Sequence, residues 1–130
     1  MATYADLSPY VYDDETPEPM LNVGWLGVEL PFPRGEVPRE VREALVELAD
    51  RAQNPYRGYH YCEFCREESP IKVDSPTARR GYVSLGNGEI RVRGSDGTLY
   101  AAPTLIIHYI DKHGYAPPAQ FCAAVLANRP

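Results

Sequence analysis

Two pairs of soft-donor side chains constrain this chain more than any other feature. Cys62 and Cys65 are separated by two residues, and His108 and His113 by four. A two-residue spacer lets one tight turn aim both sulfurs at a single point, and a four-residue spacer lets one helix end offer two imidazoles. On an ideal helix five residues rotate by about 140°, so the rings would diverge unless the last turn changes its winding. Gly114, directly after His113, supplies such a place, because a final turn that ends on glycine can tighten or loosen. Thiolate and imidazole donors together select zinc over magnesium or calcium. The expected cofactor is therefore Zn2+, held by Cys62, Cys65, His108 and His113. His60, two residues before Cys62, is a rival ligand.

Other chemistries for the same residues are weaker fits. A dithiol redox pair wants its CxxC entering a helix after a strand. Here a Tyr-rich loop precedes the motif and Pro70 soon follows. A zinc with four protein ligands is structural, whereas a catalytic zinc keeps a position open for water beside a carboxylate base. Glu63, Glu67, Glu68 and Asp111 are the available carboxylates, and no pattern such as HExxH singles one out. No catalytic residue is assigned. Cys122 lies among Phe121, Val125 and Leu126 and is expected to be a small core residue.

The rest of the chain reads as elements of one small α+β domain spanning residues 1–130. Residues 1–36 are crowded with proline and tyrosine, which forbids a long helix and predicts an extended segment packed across the domain. Trp25 is too large and apolar to stay in water and anchors that expectation. Residues 38–52 predict an amphipathic helix, with Val41, Leu45 and Leu48 on one face and Arg39/Glu43 and Glu47/Arg51 spaced for ion pairs on the other. Residues 81–101 predict a three-stranded antiparallel meander. Its strands are Tyr82–Leu85, Glu89–Arg93 and Thr98–Ala101, turning at Gly86-Asn87-Gly88 and Ser95-Asp96-Gly97. Within it Ile90 and Val92 face inward, and Glu89, Arg91 and Arg93 outward. Pro103 opens a helix from Thr104 to His113, and Pro117-Pro118 starts a second C-terminal helix running to Ala127.

Charge is divided unevenly. The first 50 residues carry eleven acidic and three basic side chains, while the remainder carries seven and ten. The net charge of −5 disfavours generic nucleic-acid binding, which draws on phosphate neutralisation. A nucleic-acid reading would have to use Arg79, Arg80, Arg91 and Arg93 around the meander. A protein partner is favoured instead, engaged by the acidic first half, with Asp13-Asp14-Glu15 as its densest cluster, or by a Tyr/Pro surface of Tyr109, Tyr115, Pro117, Pro118 and Phe121. The first residues lack the basic and apolar stretches of a secretory signal, and no apolar run reaches the roughly 20 residues of a membrane span. A reducing cytoplasm is expected.

Tyr4-Ala5-Asp6-Leu7-Ser8-Pro9-Tyr10, Val23-Gly24-Trp25-Leu26 and Gly58-Tyr59-His60-Tyr61-Cys62-Glu63-Phe64-Cys65 carry a resemblance over nearly the whole chain. So do Ala102-Pro103, His108-Tyr109-Ile110, His113-Gly114-Tyr115 and Pro117-Pro118. In these the chain resembles a family of small uncharacterised actinobacterial proteins. The resemblance implies a cytosolic placement and no particular activity. The expected function is a non-enzymatic, zinc-stabilised interaction or regulatory module. A zinc hydrolase or nuclease with an open coordination position, and an arginine-bearing nucleic-acid binder, are the alternatives.

Overall fold

The computed structural model describes residues 3–10, 19–52, 61–67 and 70–130. His60, Glu68 and the Asp13-Asp14-Glu15 cluster lie outside the described residues. The elements in chain order are β1 (Met20–Asn22), α1 (Arg39–Asp50), β2 (Ile71–Asp74), β3 (Tyr82–Leu85) and β4 (Glu89–Arg93), then β5 (Leu99–Pro103), α2 (Ile106–His113) and α3 (Ala119–Ala127). The architecture is α+β.

The expected meander is not one sheet. β4 pairs antiparallel with β5, but β5 takes β1 as a parallel partner on its other side, giving a mixed sheet of order β1-β5-β4. β3 leaves that group and pairs antiparallel with β2, in register from Ile71 opposite Leu85 to Asp74 opposite Tyr82. The side chain of Thr104 explains the split. Its hydroxyl oxygen accepts from Gly86 N at 2.9 Å, and its own backbone N–H donates to Gly88 O at 3.0 Å. The Gly86-Asn87-Gly88 segment is thus pinned to the end of β5 and cannot close a β3–β4 hairpin. Pro103 correspondingly ends β5 instead of opening a helix.

Glu89 also departs from expectation. It is 2% exposed, and its carboxylate accepts from the Tyr10 hydroxyl at 2.8 Å and from Arg91 Nε at 2.9 Å. A charged side chain enters the interior only when so matched. Alternation along β4 cannot show that, because the partner Tyr10 comes from the other end of the sequence.

Residues 4–10 run alongside 20–25. Tyr4 N donates to Trp25 O, Tyr10 N to Met20 O and Asn22 N to Ser8 O. Trp25 is 4% exposed and its Nε1 donates to Ala101 O at 3.0 Å, which fixes this segment to the centre of the mixed sheet. α1 buries Val41, Ala44, Leu45, Val46 and Ala49 and packs against α3, α2 and β3. Leu48 is only half-buried. Of the expected ion pairs on its outer face, Arg39–Glu43 is present, whereas Glu47 pairs with Arg129 beyond α3. Tyr109, Tyr115 and Phe121 are fully buried, so the Tyr/Pro cluster is interior packing and not a surface. Cys122 is half-buried against the same core.

Candidate metal centre

The structure gathers Cys62, Cys65, His108 and His113 into one group whose ligand atoms all lie within 4.8 Å of one another. Cys62 Sγ is 3.3 Å from His113 Nε2, Cys65 Sγ is 3.4 Å from His108 Nε2, and the two Nε2 atoms are 3.3 Å apart. A tetrahedral zinc with sulfur at about 2.3 Å and nitrogen at about 2.0 Å has sulfur–nitrogen edges of about 3.5 Å and a nitrogen–nitrogen edge of about 3.3 Å. Three of the six donor–donor edges thus match one tetrahedral ion, and both imidazoles turn the same nitrogen towards the group.

Each pair is positioned by its own backbone. The two histidines stand five residues apart, and the winding of the last turn of α2 reconciles them. Gly114 adopts φ 69°, and its N–H donates to Tyr109 O, five residues back; Tyr115 N, six residues on from Tyr109, donates to the same oxygen at 3.2 Å. A turn closed by an i→i−5 bond takes up roughly one extra residue, so side chains five apart return towards the same face. The imidazole rings end with centroids 5.0 Å apart. On the cysteine side, the backbone N–H groups of Phe64 and Cys65 oppose the rise that burial imposes on the Cys62 thiol. Such amides stabilise a thiolate, and they belong to the tight turn that a two-residue spacer implies.

Burial sets the protonation of the group without an ion. Cys62, 6% exposed, has its thiol pushed up to about 11, chiefly by desolvation. Desolvation lowers both histidines, partly opposed by the nearby Glu67 carboxylate. Neutral imidazoles with free lone pairs and two thiols able to shed protons to a cation make a coherent zinc donor set.

The carboxylates around the group are engaged. Glu67 Oε2 lies 3.5 Å from His108 Nδ1, where it can orient the ring and hold the tautomer that leaves Nε2 free. Glu63 Oε1 accepts from Val28 N at 2.9 Å, and Asp111 takes a two-pronged contact from Arg42 at 2.9 and 3.2 Å. Glu67 was legible in the sequence as a nearby acid but not as a partner of His108, since only the fold brings residue 67 beside residue 108. The rings of Phe64, Phe32 and Tyr115 form a further wall, with Phe32 5.3 Å from Phe64 and 6.0 Å from Tyr115. Phe64 also tilts against the His113 ring at 5.4 Å.

Arg91 is committed to Glu89, and Arg93 donates to Gly97 O at 2.9 Å. Arg79 and Arg80 flank a separate cleft between the end of α1 and β3.

Fold and site together define a small α+β protein with a Cys2His2 group able to hold one metal ion. No helix among the described residues is long and apolar enough to cross a membrane. The chain belongs to the DUF7919 family, described as a domain of unknown function, whose model matches residues 2–126. No curated protein and no solved structure matches the chain.

Proposed function

We propose that this chain is a non-enzymatic, zinc-stabilised module that engages another protein in the cytoplasm. The observation that supports zinc is three donor edges of 3.3, 3.4 and 3.3 Å, close to those of a tetrahedral zinc held by four protein ligands. An ion so enclosed has no position for water or substrate, and the described carboxylates near it have other partners. That combination favours a structural ion over a hydrolytic one. A reducing compartment keeps Cys62 and Cys65 as thiols until the metal takes them.

The interaction half of the reading rests on exposed apolar side chains around the cysteine turn. Tyr61 is 71% exposed and Val28 64%, and the Val28–Glu63 hydrogen bond places the loop bearing Val28 against the turn bearing Tyr61. Leu30 is exposed in the same loop and borders a cavity of about 210 Å³ lined by Tyr4, Trp25 and Phe32. Exposed apolar groups clustered at one place on a small protein suit contact with a partner.

Protein purified reduced and without added metal should contain about one zinc per chain by elemental analysis. Iron, or no metal in folded protein, would remove the zinc reading. For the interaction, Val28→Ser with Tyr61→Ser should leave zinc content and melting temperature unchanged while reducing cross-linking to the native partner. Unchanged cross-linking would move the contact elsewhere.

A further inference from the structure

One edge of β3 is covered by no strand among the described residues, because β2 and β3 form a two-stranded sheet and β2 takes the other side. The register fixes what that edge offers. Ser75 N donates to Gly81 O at 2.9 Å, directly beyond the Asp74–Tyr82 pair, so Ser75 and Gly81 are a bonded pair of the ladder. Bonded pairs recur at every second residue, which makes Val73 with Val83 and Ile71 with Leu85 the next two. The main-chain N–H and C=O groups of Tyr82 and Ser84 therefore point off the sheet, and they meet no partner among the described residues. A cleft of about 610 Å³ lies against them, between Ala49 and Asp50 at the end of α1 and Tyr82, Val83 and Ser84. Side chains alternate across a strand, so three successive residues bound one cleft only where it runs along the strand's edge.

The cleft is also cationic. Arg79 and Arg80 line it just before β3, both are exposed, and neither has an ion-pair partner among the described residues. Lys72 adds a third positive charge, its ammonium 4.8 Å from the centroid of the Tyr82 ring. Asp50 is the single acidic side chain in the wall. Unpaired main-chain groups template a further strand, while lysine and arginine along an edge hinder pairing with strands that bring no negative charge. We propose that the β3 edge takes up an acidic peptide segment as an added strand, its main chain pairing with Tyr82 and Ser84 and its carboxylates meeting Arg79 and Arg80. This surface shares no residue with the Val28 and Tyr61 patch and does not depend on the zinc reading.

An amide-resolved NMR titration of the whole reduced protein tests this, with a capped peptide of alternating valine and threonine that ends in two glutamates. Binding should shift the Tyr82 and Ser84 amides and slow their hydrogen exchange. Arg79→Glu with Arg80→Glu should keep the wild-type melting temperature, since exposed charges contribute little to stability. It should weaken the glutamate peptide about 10-fold or more and favour a matching peptide that ends in two lysines. The glutamate peptide N-methylated throughout keeps its carboxylates but has no N–H to donate, and it should bind wild type at least about 10-fold more weakly. Equal affinity of the methylated peptide, or of the charge-reversed variant, would overturn the inference, as would no binding at millimolar peptide. Inorganic phosphate reproducing the Tyr82 and Ser84 shifts would make the cleft an anion site, and self-association that shifts them would make the occupant a second copy. Either result overturns strand addition by an acidic peptide.

Discussion

Removing one ligand from the Cys2His2 group should cost far more than its local contacts suggest, because an ion bound there closes a long loop. Cys62 sits before β2 and β3, and His108 sits after β5, so the cross-link spans both sheets. Treated as a cross-link between residues 62 and 108, it closes a loop of roughly 46 residues, which in chain-entropy terms contributes about 4 kcal/mol. For a chain of this length 1 kcal/mol moves the melting temperature by roughly 3–5 °C, so the expected loss is roughly 12–20 °C. Cys65→Ser and His108→Ala should each show it and should each release the metal. Both are to be followed by calorimetry beside zinc analysis, with Glu63→Gln as control, since glutamine keeps an oxygen for the Val28 amide.

The same arithmetic predicts that chelation of wild-type protein lowers its melting point to about that of Cys65→Ser. If both variants melt with the wild type, the ion is not what ties the cysteine turn to α2, and the loop reasoning fails. A site whose ion acts catalytically would separate differently: one carboxylate change would abolish an activity while metal content and stability persisted.

Three further outcomes follow from the same geometry. Zinc affinity should rise with pH through neutrality, because burial holds the Cys62 thiol up to about 11 and each bound thiolate must first lose a proton; about two protons released per zinc in weakly buffered indicator titrations is the expected result, and none would contradict thiolate ligation. Glu67→Ala should weaken zinc binding about 10-fold by freeing the His108 ring, while Glu67→Gln, which retains an acceptor for Nδ1, should come close to wild type in chelator competition. Glu89→Ala should lower unfolding stability by about 1–2 kcal/mol, since it removes the buried carboxylate that accepts from the Tyr10 hydroxyl and from Arg91 Nε; a urea midpoint within error of wild type would show that this cluster is not coupled to folding.

What could be read from the sequence divides by the range of the information. The helices announced themselves through local signals: the apolar spacing of Val41 and Leu45, Pro118 before α3, and Gly114 after α2. The four donors were legible because cysteine and histidine spacings are themselves local. What they could not reveal is that the last turn of α2 is closed by an i→i−5 bond, since that depends on where the Gly114 and Tyr115 amides settle. Strand pairing was least legible. Tyr82–Leu85 and Glu89–Arg93 alternate as neighbours in a hairpin would, and Gly86-Asn87-Gly88 has turn composition. The deciding contact is the Thr104 hydroxyl on Gly86, made across 18 residues. β1 was missed for a related reason. Met20–Asn22 is too short to show alternation, and its parallel partner β5 lies almost eighty residues away.

The same distinction bears on what an ion held by the four residues would do for this fold. The two sheets share no strand among the described residues, and α1 packs against both β3 and β4. Cys62 and Cys65 immediately precede β2, while His108 and His113 stand on the helix that leaves β5. An ion held by all four would fasten the start of one sheet to the exit of the other. Local sequence preferences supply no equivalent tie, because nothing in the spacing of either pair refers to the residues between them. A small domain with a divided sheet and a first half rich in like charge gains most from a cross-link of that reach.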